Sequence, residues 1–136
     1  MMSDGTEAPL VLGLGGSAGA VEALQHFFDA VPAGPGLAFV VVMHMDPEQE
    51  SQLAEILESH TTLSVTQVTE PTEIAADHVY VTAPGRTLLV EGTTLVPQEL
   101  TNPTERQSPI DQFFRSLAGG ALHPMAAVLS GAGTDG

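Results

Sequence analysis

A serine set among glycines, a histidine closing an apolar run and an aspartate in a glycine-rich stretch are the residues here best suited to chemistry. Ser17 lies in Gly15-Gly16-Ser17-Ala18-Gly19, a G-x-S-x-G pattern; His44 follows Val41-Val42-Met43, and Asp135 lies in Ser130-Gly131-Ala132-Gly133-Thr134-Asp135-Gly136. Glycines let a backbone bend sharply, leaving a serine hydroxyl exposed at the start of the next helix. The helix dipole and free N–H groups there favour a developing oxyanion. A serine nucleophile also needs a base within hydrogen-bond reach and an acid that orients the base. Each residue has a plainer reading as well: a nucleotide-binding glycine turn, a structural histidine, an aspartate bonding its own turn. Gly13-x-Gly15-x-x-Ala18 approximates the dinucleotide fingerprint, although Asp46 falls later than the ~20-residue interval for its ribose partner. The chain order Ser, His, Asp differs from the Ser, Asp, His order of α/β-hydrolases and argues against an ordinary lipase or esterase.

The elements that must position these residues can be read from apolar patterning. Pro9 to Leu14 is a short apolar run that predicts a buried strand, with Gly15–Gly19 as a turn. Val21, Leu24, Phe28 and Val31 recur at helical spacing until Pro32 and Gly34 end the helix. Leu37 to Met43 is continuous and β-branched, as expected of a parallel strand buried on both faces. A helix with Leu53, Ile56 and Leu57 on its apolar face follows, then strands at Ser64–Val68, His78–Val81, Thr87–Val90 and Thr94–Val96, the last two joined by a turn at Glu91-Gly92-Thr93. Ser108, Pro109 and Asp111 read as a capping box opening a helix with Ile110, Phe113, Phe114 and Leu117 on its core stripe. Ala126 to Leu129 is the final predicted strand. This alternation predicts an α/β domain, Rossmann-like and doubly wound, with a mainly parallel sheet and an antiparallel hairpin. In such sheets ligands sit beyond the carboxyl ends of the strands, which directs attention to the turns after Leu14, Met43 and Leu129.

The 136 residues carry 17 Asp and Glu against 3 Lys and Arg, for a formal charge of −14. The three cations are Arg86, Arg106 and Arg115, and there is no lysine. A chain of this composition cannot build the basic patch that phosphate contacts require, nor dock on anionic lipid. Cysteine is absent, so disulfides, thiolate metal sites and thiol catalysis are excluded. The acidic N-terminus is not a signal peptide and the longest apolar run is too short to span a bilayer, which places the expected location in the cytoplasm. The acidic, lysine-free surface fits a salt-rich cytoplasm, and melting in low and high salt separates that reading from a merely solvated acidic face. His26 lies beside the apolar stripe of the first helix and is expected to be structural. His60, His78 and His123 lack paired ligand spacing, and His44-x-Asp46 alone is too little for a metal site, so neither metal nor cofactor is expected.

Five motifs, in order, resemble one family. Gly-Gly-Ser17-Ala-Gly, Val-Val-Met-His44-Met, His78-Val-Tyr-Val-Thr-Ala-Pro-Gly, Ser108-Pro-Ile-Asp-Gln-Phe-Phe-Arg-Ser-Leu and Leu-Ser-Gly-Ala-Gly-Thr-Asp135-Gly are similar to the catalytic domain of CheB, the chemotaxis receptor methylesterase. The phrasing is closest to versions fused to a methyltransferase. The resemblance covers residues 9–136, with 1–8 expected to be a disordered tail. It implies Ser17 as nucleophile, His44 as general base, Asp135 as orienting acid and the Ala132 backbone N–H in an oxyanion hole. It also implies a glutamate γ-methyl ester on a receptor's cytoplasmic helix as substrate, with glutamine deamidation as a second reaction, and it brings Arg106, which reads equally as one side of a surface ion pair, near the substrate cleft.

Three departures accompany the likeness. Ala20 stands where the family usually has a second glycine, and a position needing positive φ would be strained by its methyl group. No receiver domain is expected ahead of Pro9. The family's chain continues beyond the aspartate turn, so the domain is expected to be truncated at its C-terminal side. Two other classes stay open from sequence: a catalytically weak module that binds receptor helices, and a nucleotide-binding domain.

Overall fold

β1 (Leu10–Ser17), α1 (Val21–Asp29), β2 (Ala38–His44), α2 (Pro47–Glu58), β3 (Ser64–Val68), β4 (Thr72–Glu73), β5 (His78–Thr82), β6 (Arg86–Glu91), β7 (Thr94–Glu99), α3 (Pro109–Ala118) and β8 (His123–Val128) follow one another along the chain. The computed structural model describes residues 10–44, 47–99, 109–119 and 123–128. Five strands form a sheet in the order β3-β5-β2-β1-β8, and all its pairings are parallel. The fold is α/β, as the alternation of periods implies. β1 has β2 on one side and β8 on the other, so strand succession reverses there and creates a topological switch point.

β2 shows why the sheet is buried on both faces. Phe39, Val41 and Met43 join Leu14, Leu24, Phe28, Leu53 and Leu57 in one core, beneath α1 and α2. Val40 and Val42 join Val11, Tyr80, Leu88, Phe113 and Leu117 in the other, beneath α3. A strand covered twice needs apolar side chains at every position, which is why its run is unbroken. Phe27, Phe28 and Phe39 meet edge to face at 5.0–5.9 Å, fastening α1 to the sheet.

The expected antiparallel strands β6 and β7 pair as a hairpin. They do not extend the main sheet but form a second one, ordered β4-β7-β6 and including the two-residue β4, which has no periodicity to detect. The β6–β7 hairpin turns at Gly92, whose φ of +66° suits a two-residue loop with glycine first. Glu73 clamps β4 to β7 by accepting hydroxyl hydrogen bonds from Thr93 and from Thr94, the latter at 3.0 Å. Ser116 of α3 accepts a hydrogen bond from the Val90 N–H at 2.9 Å, occupying a donor on β6. His26, beside the apolar stripe as expected, is exposed on α1 with Nε2 3.8 Å from Glu22.

Tyr80 ties the second sheet's approach segment to the first. It is 3% exposed, and its hydroxyl accepts a bond from the Ala75 N–H at 2.9 Å and donates to the Glu73 carbonyl at 3.3 Å. Burial pushes its phenol above the ordinary value; the Ala75 bond lowers it, and the nearby Glu73 charge raises it. The folded chain therefore holds a proton that the unfolded chain releases near pH ~10, so this stabilisation is complete below that pH and declines as pH rises through the folded pKa. Tyr80 is the chain's single tyrosine, and tryptophan is absent. A phenolate absorbance titration should show a higher midpoint for the folded chain than in urea, and coincident midpoints would contradict the buried environment.

Candidate functional site

The strand ends at the switch point place the sequence-predicted residues. β1 does not stop at Leu14; it runs on through Gly15, Gly16 and Ser17, and a 3-10 turn at Ala18–Ala20 leads into α1. Gly13 and Gly15 are thus strand residues and not the bend of a turn. Their smallness has another cause. A Cβ on Gly13 would lie 2.7 Å from Phe113 Cε2, and one on Gly15 would lie 2.6 Å from Ile110 Cγ2. These glycines let α3 approach β1 at backbone range. A dinucleotide fingerprint needs its glycines in the phosphate turn, so this placement removes the nucleotide-binding reading of that motif.

The β1–β2 ladder pairs Leu14 with Val41, Gly15 with Val42, Gly16 with Met43 and finally Ser17 with His44. Neighbouring strands lie about 4.8 Å apart, so the backbones of Ser17 and His44 are adjacent at the carboxyl edge of the sheet. This register could not be read from residues 27 positions apart in the sequence. Following Ser17, α1 begins with Ala20 as its N-cap, which supplies no side-chain hydrogen bond to the helix start. Anionic groups are favoured at such an end by the dipole and the unfilled N–H donors. Ala20 has φ −90° and ψ 0°, an ordinary backbone for an L-residue, and its methyl is fully buried in the α1–α2 core. The alanine at this point of the turn therefore carries no strain.

β8 lies on the other side of β1, paired from Leu10 with His123 to Gly15 with Val128, so the chain leaves it at the same carboxyl edge. Asp135, Ala132 and Arg106 lie outside the described residues, as do the 1–8 tail, Asp46 and the Ser108 cap. Arg86 opens β6 and donates from Nη1 to the Thr69 carbonyl at 3.4 Å, while Arg115 is exposed in the last turn of α3. Among the described residues, no three His, Asp or Glu side chains converge as a metal site would require.

Sequence reasoning passed over Thr82. It ends β5 and is 2% exposed, with its hydroxyl donating to the Val41 carbonyl at 3.3 Å and accepting from the Met43 N–H at 3.5 Å. The detectable signal is a hydroxyl closing an otherwise apolar Val-Tyr-Val run. Among the described residues, no helix is long and apolar enough to cross a membrane.

Comparison with known proteins follows the same pattern. The family model for CheB methylesterase matches residues 12–136. Protein-glutamate methylesterase/protein-glutamine glutaminase 1 of Myxococcus xanthus is 31% identical over 136 residues, covering 96% of this chain and 39% of the relative. Protein-glutamate methylesterase/protein-glutamine glutaminase 2 of Burkholderia lata is 33% identical over 138 residues, covering 94% of this chain and 38% of that one. The crystal structure of the Thermotoga maritima CheB methylesterase catalytic domain superposes with a TM-score of 0.69 at 21% identity, covering 90% of this chain and 67% of the other. The chain thus spans about two fifths of the length of the curated relatives it matches.

Proposed function

Since the chain belongs to the CheB methylesterase family, we propose that it carries the nucleophile and base of a protein-glutamate methylesterase that hydrolyses glutamate γ-methyl esters on chemotaxis receptors. The observation that carries this reading is the register of Ser17 with His44 at the carboxyl ends of adjacent strands. Ser17 Oγ attacks the ester carbonyl carbon while His44 accepts its proton. The tetrahedral oxyanion is met by backbone N–H donors, Ala132 among them, and such a donor is worth ~10²–10³ in rate. Collapse breaks the bond to the methoxy group, His44 returns the proton to it, and methanol leaves. Water then repeats the cycle on the acyl-serine and releases glutamate. Asp135 holds the imidazole in the productive tautomer, and Arg106 contributes to substrate binding. The same acyl chemistry accepts a glutamine side chain with ammonia leaving, which agrees with the double name of the relatives.

The partners in this reading are the cytoplasmic helices of methyl-accepting receptors, with a fused or separate methyltransferase supplying the ester, in a cytoplasm whose salt suits the chain's charge of −14. The test is methanol release from a receptor-derived helix peptide bearing glutamate γ-methyl ester. Steady release well above the buffer rate is expected. Peptide binding without release would replace the enzyme by a receptor-binding module, and neither binding nor release would remove the reading.

A further inference from the structure

The sheet divides at its carboxyl edge. The β1–β2 ladder continues to Ser17 with His44, and the β3–β5 ladder continues to Val68 with Thr82. Between these two halves, the β2–β5 ladder ends at Val41 with Val81. Past that point the Thr82 side chain takes over the strand-to-strand bonding, giving a proton to the Val41 carbonyl and receiving the Met43 N–H. Val41, Met43 and Thr82 are 0%, 1% and 2% exposed, so water cannot replace the hydroxyl. Met43 immediately precedes His44.

We infer that Thr82 is a positioning residue: its hydroxyl fixes the end of β2 and with it the backbone that carries His44. This rests on the esterase reading for its consequence in the reaction, while the clamp itself rests on the hydrogen bonds alone. Thr82 transfers no proton to substrate. Its effect is on the placement of the base, to which turnover is sensitive at the level of about an ångström. Valine preserves the branched shape without the hydroxyl, and serine preserves the hydroxyl without the methyl group.

The experiment compares the full chain with Thr82→Val and Thr82→Ser, using amide hydrogen exchange at Met43 and His44 and turnover of a peptide glutamate γ-methyl ester. Thr82→Val should speed exchange at both amides by about tenfold or more. It should also lower kcat by about tenfold or more, leave KM within about twofold, and Thr82→Ser should restore kcat to within about threefold of the parent chain. Unchanged exchange in Thr82→Val overturns the clamp. Faster exchange with unchanged kcat overturns the positioning role, as does a Thr82→Ser variant as impaired as Thr82→Val. If the parent chain turns over no faster than its Ser17→Ala variant, the esterase reading is what fails, and the exchange measurement alone upholds or overturns the clamp.

Discussion

Ser17→Ala is expected to lower ester hydrolysis by about 10⁴–10⁶-fold, because a nucleophile acts as a unit with its base and acid. The variant keeps the backbone of β1 and the Ser17–His44 register, so its melting should follow that of the parent chain. Placing His44→Ala on top of it should cost little more, since a base with no hydroxyl to deprotonate contributes almost nothing. That non-additivity separates a nucleophile from a serine that merely lines a binding cleft, where two losses would multiply. Near-normal methanol release from Ser17→Ala would end the nucleophile assignment. A full additional loss from His44→Ala would show the two residues acting independently.

The same residues show what local sequence could and could not convey. The β-branched run of β2, the Ser64–Val68 strand and the apolar stripe of α3 were legible because burial on one face or two imposes a period on neighbouring residues. Ser17 and His44 were legible as candidates because each lies where an apolar run ends. Their pairing in register was not, since it depends on a crossover through α1 and the loop after it. Gly15 misled for a related reason: it reads as part of a turn, whereas its smallness, like that of Gly13 within the expected strand, answers Ile110 and Phe113 on α3, about a hundred positions downstream. Thr82 showed only as a hydroxyl at the end of an apolar run, and its role was not legible because its partners Val41 and Met43 are 41 and 39 residues away. The separate antiparallel sheet was read as a hairpin because its third strand is two residues long.

The close approach of α3 to β1 makes a second large effect predictable, and one that changes sign with context. Phe113 is fully buried, and Phe113→Ala should destabilise the chain by about 3–5 kcal/mol through lost burial and the cavity left behind. Gly13→Ala should separately cost about 1–3 kcal/mol, since its new methyl would meet Phe113 Cε2 at 2.7 Å and Leu117 Cδ2 at 3.0 Å. Gly13 has no positive φ, so alanine suits its backbone and the cost is steric alone. Once the Phe113 ring is gone, the methyl occupies part of the vacated volume and the flexible Leu117 terminus gives way. The entropic advantage of alanine over glycine, about 0.4–1 kcal/mol, then remains without the clash. Gly13→Ala should therefore be neutral or stabilising in the Phe113→Ala background, read as a rise in the urea midpoint at constant slope. Additive losses would mean that the ring does not occupy the space above Gly13. Because Gly13 and Gly15 lie four and two residues before Ser17 on the same strand, the contact that sets this coupling also fixes the strand on which the proposed nucleophile stands.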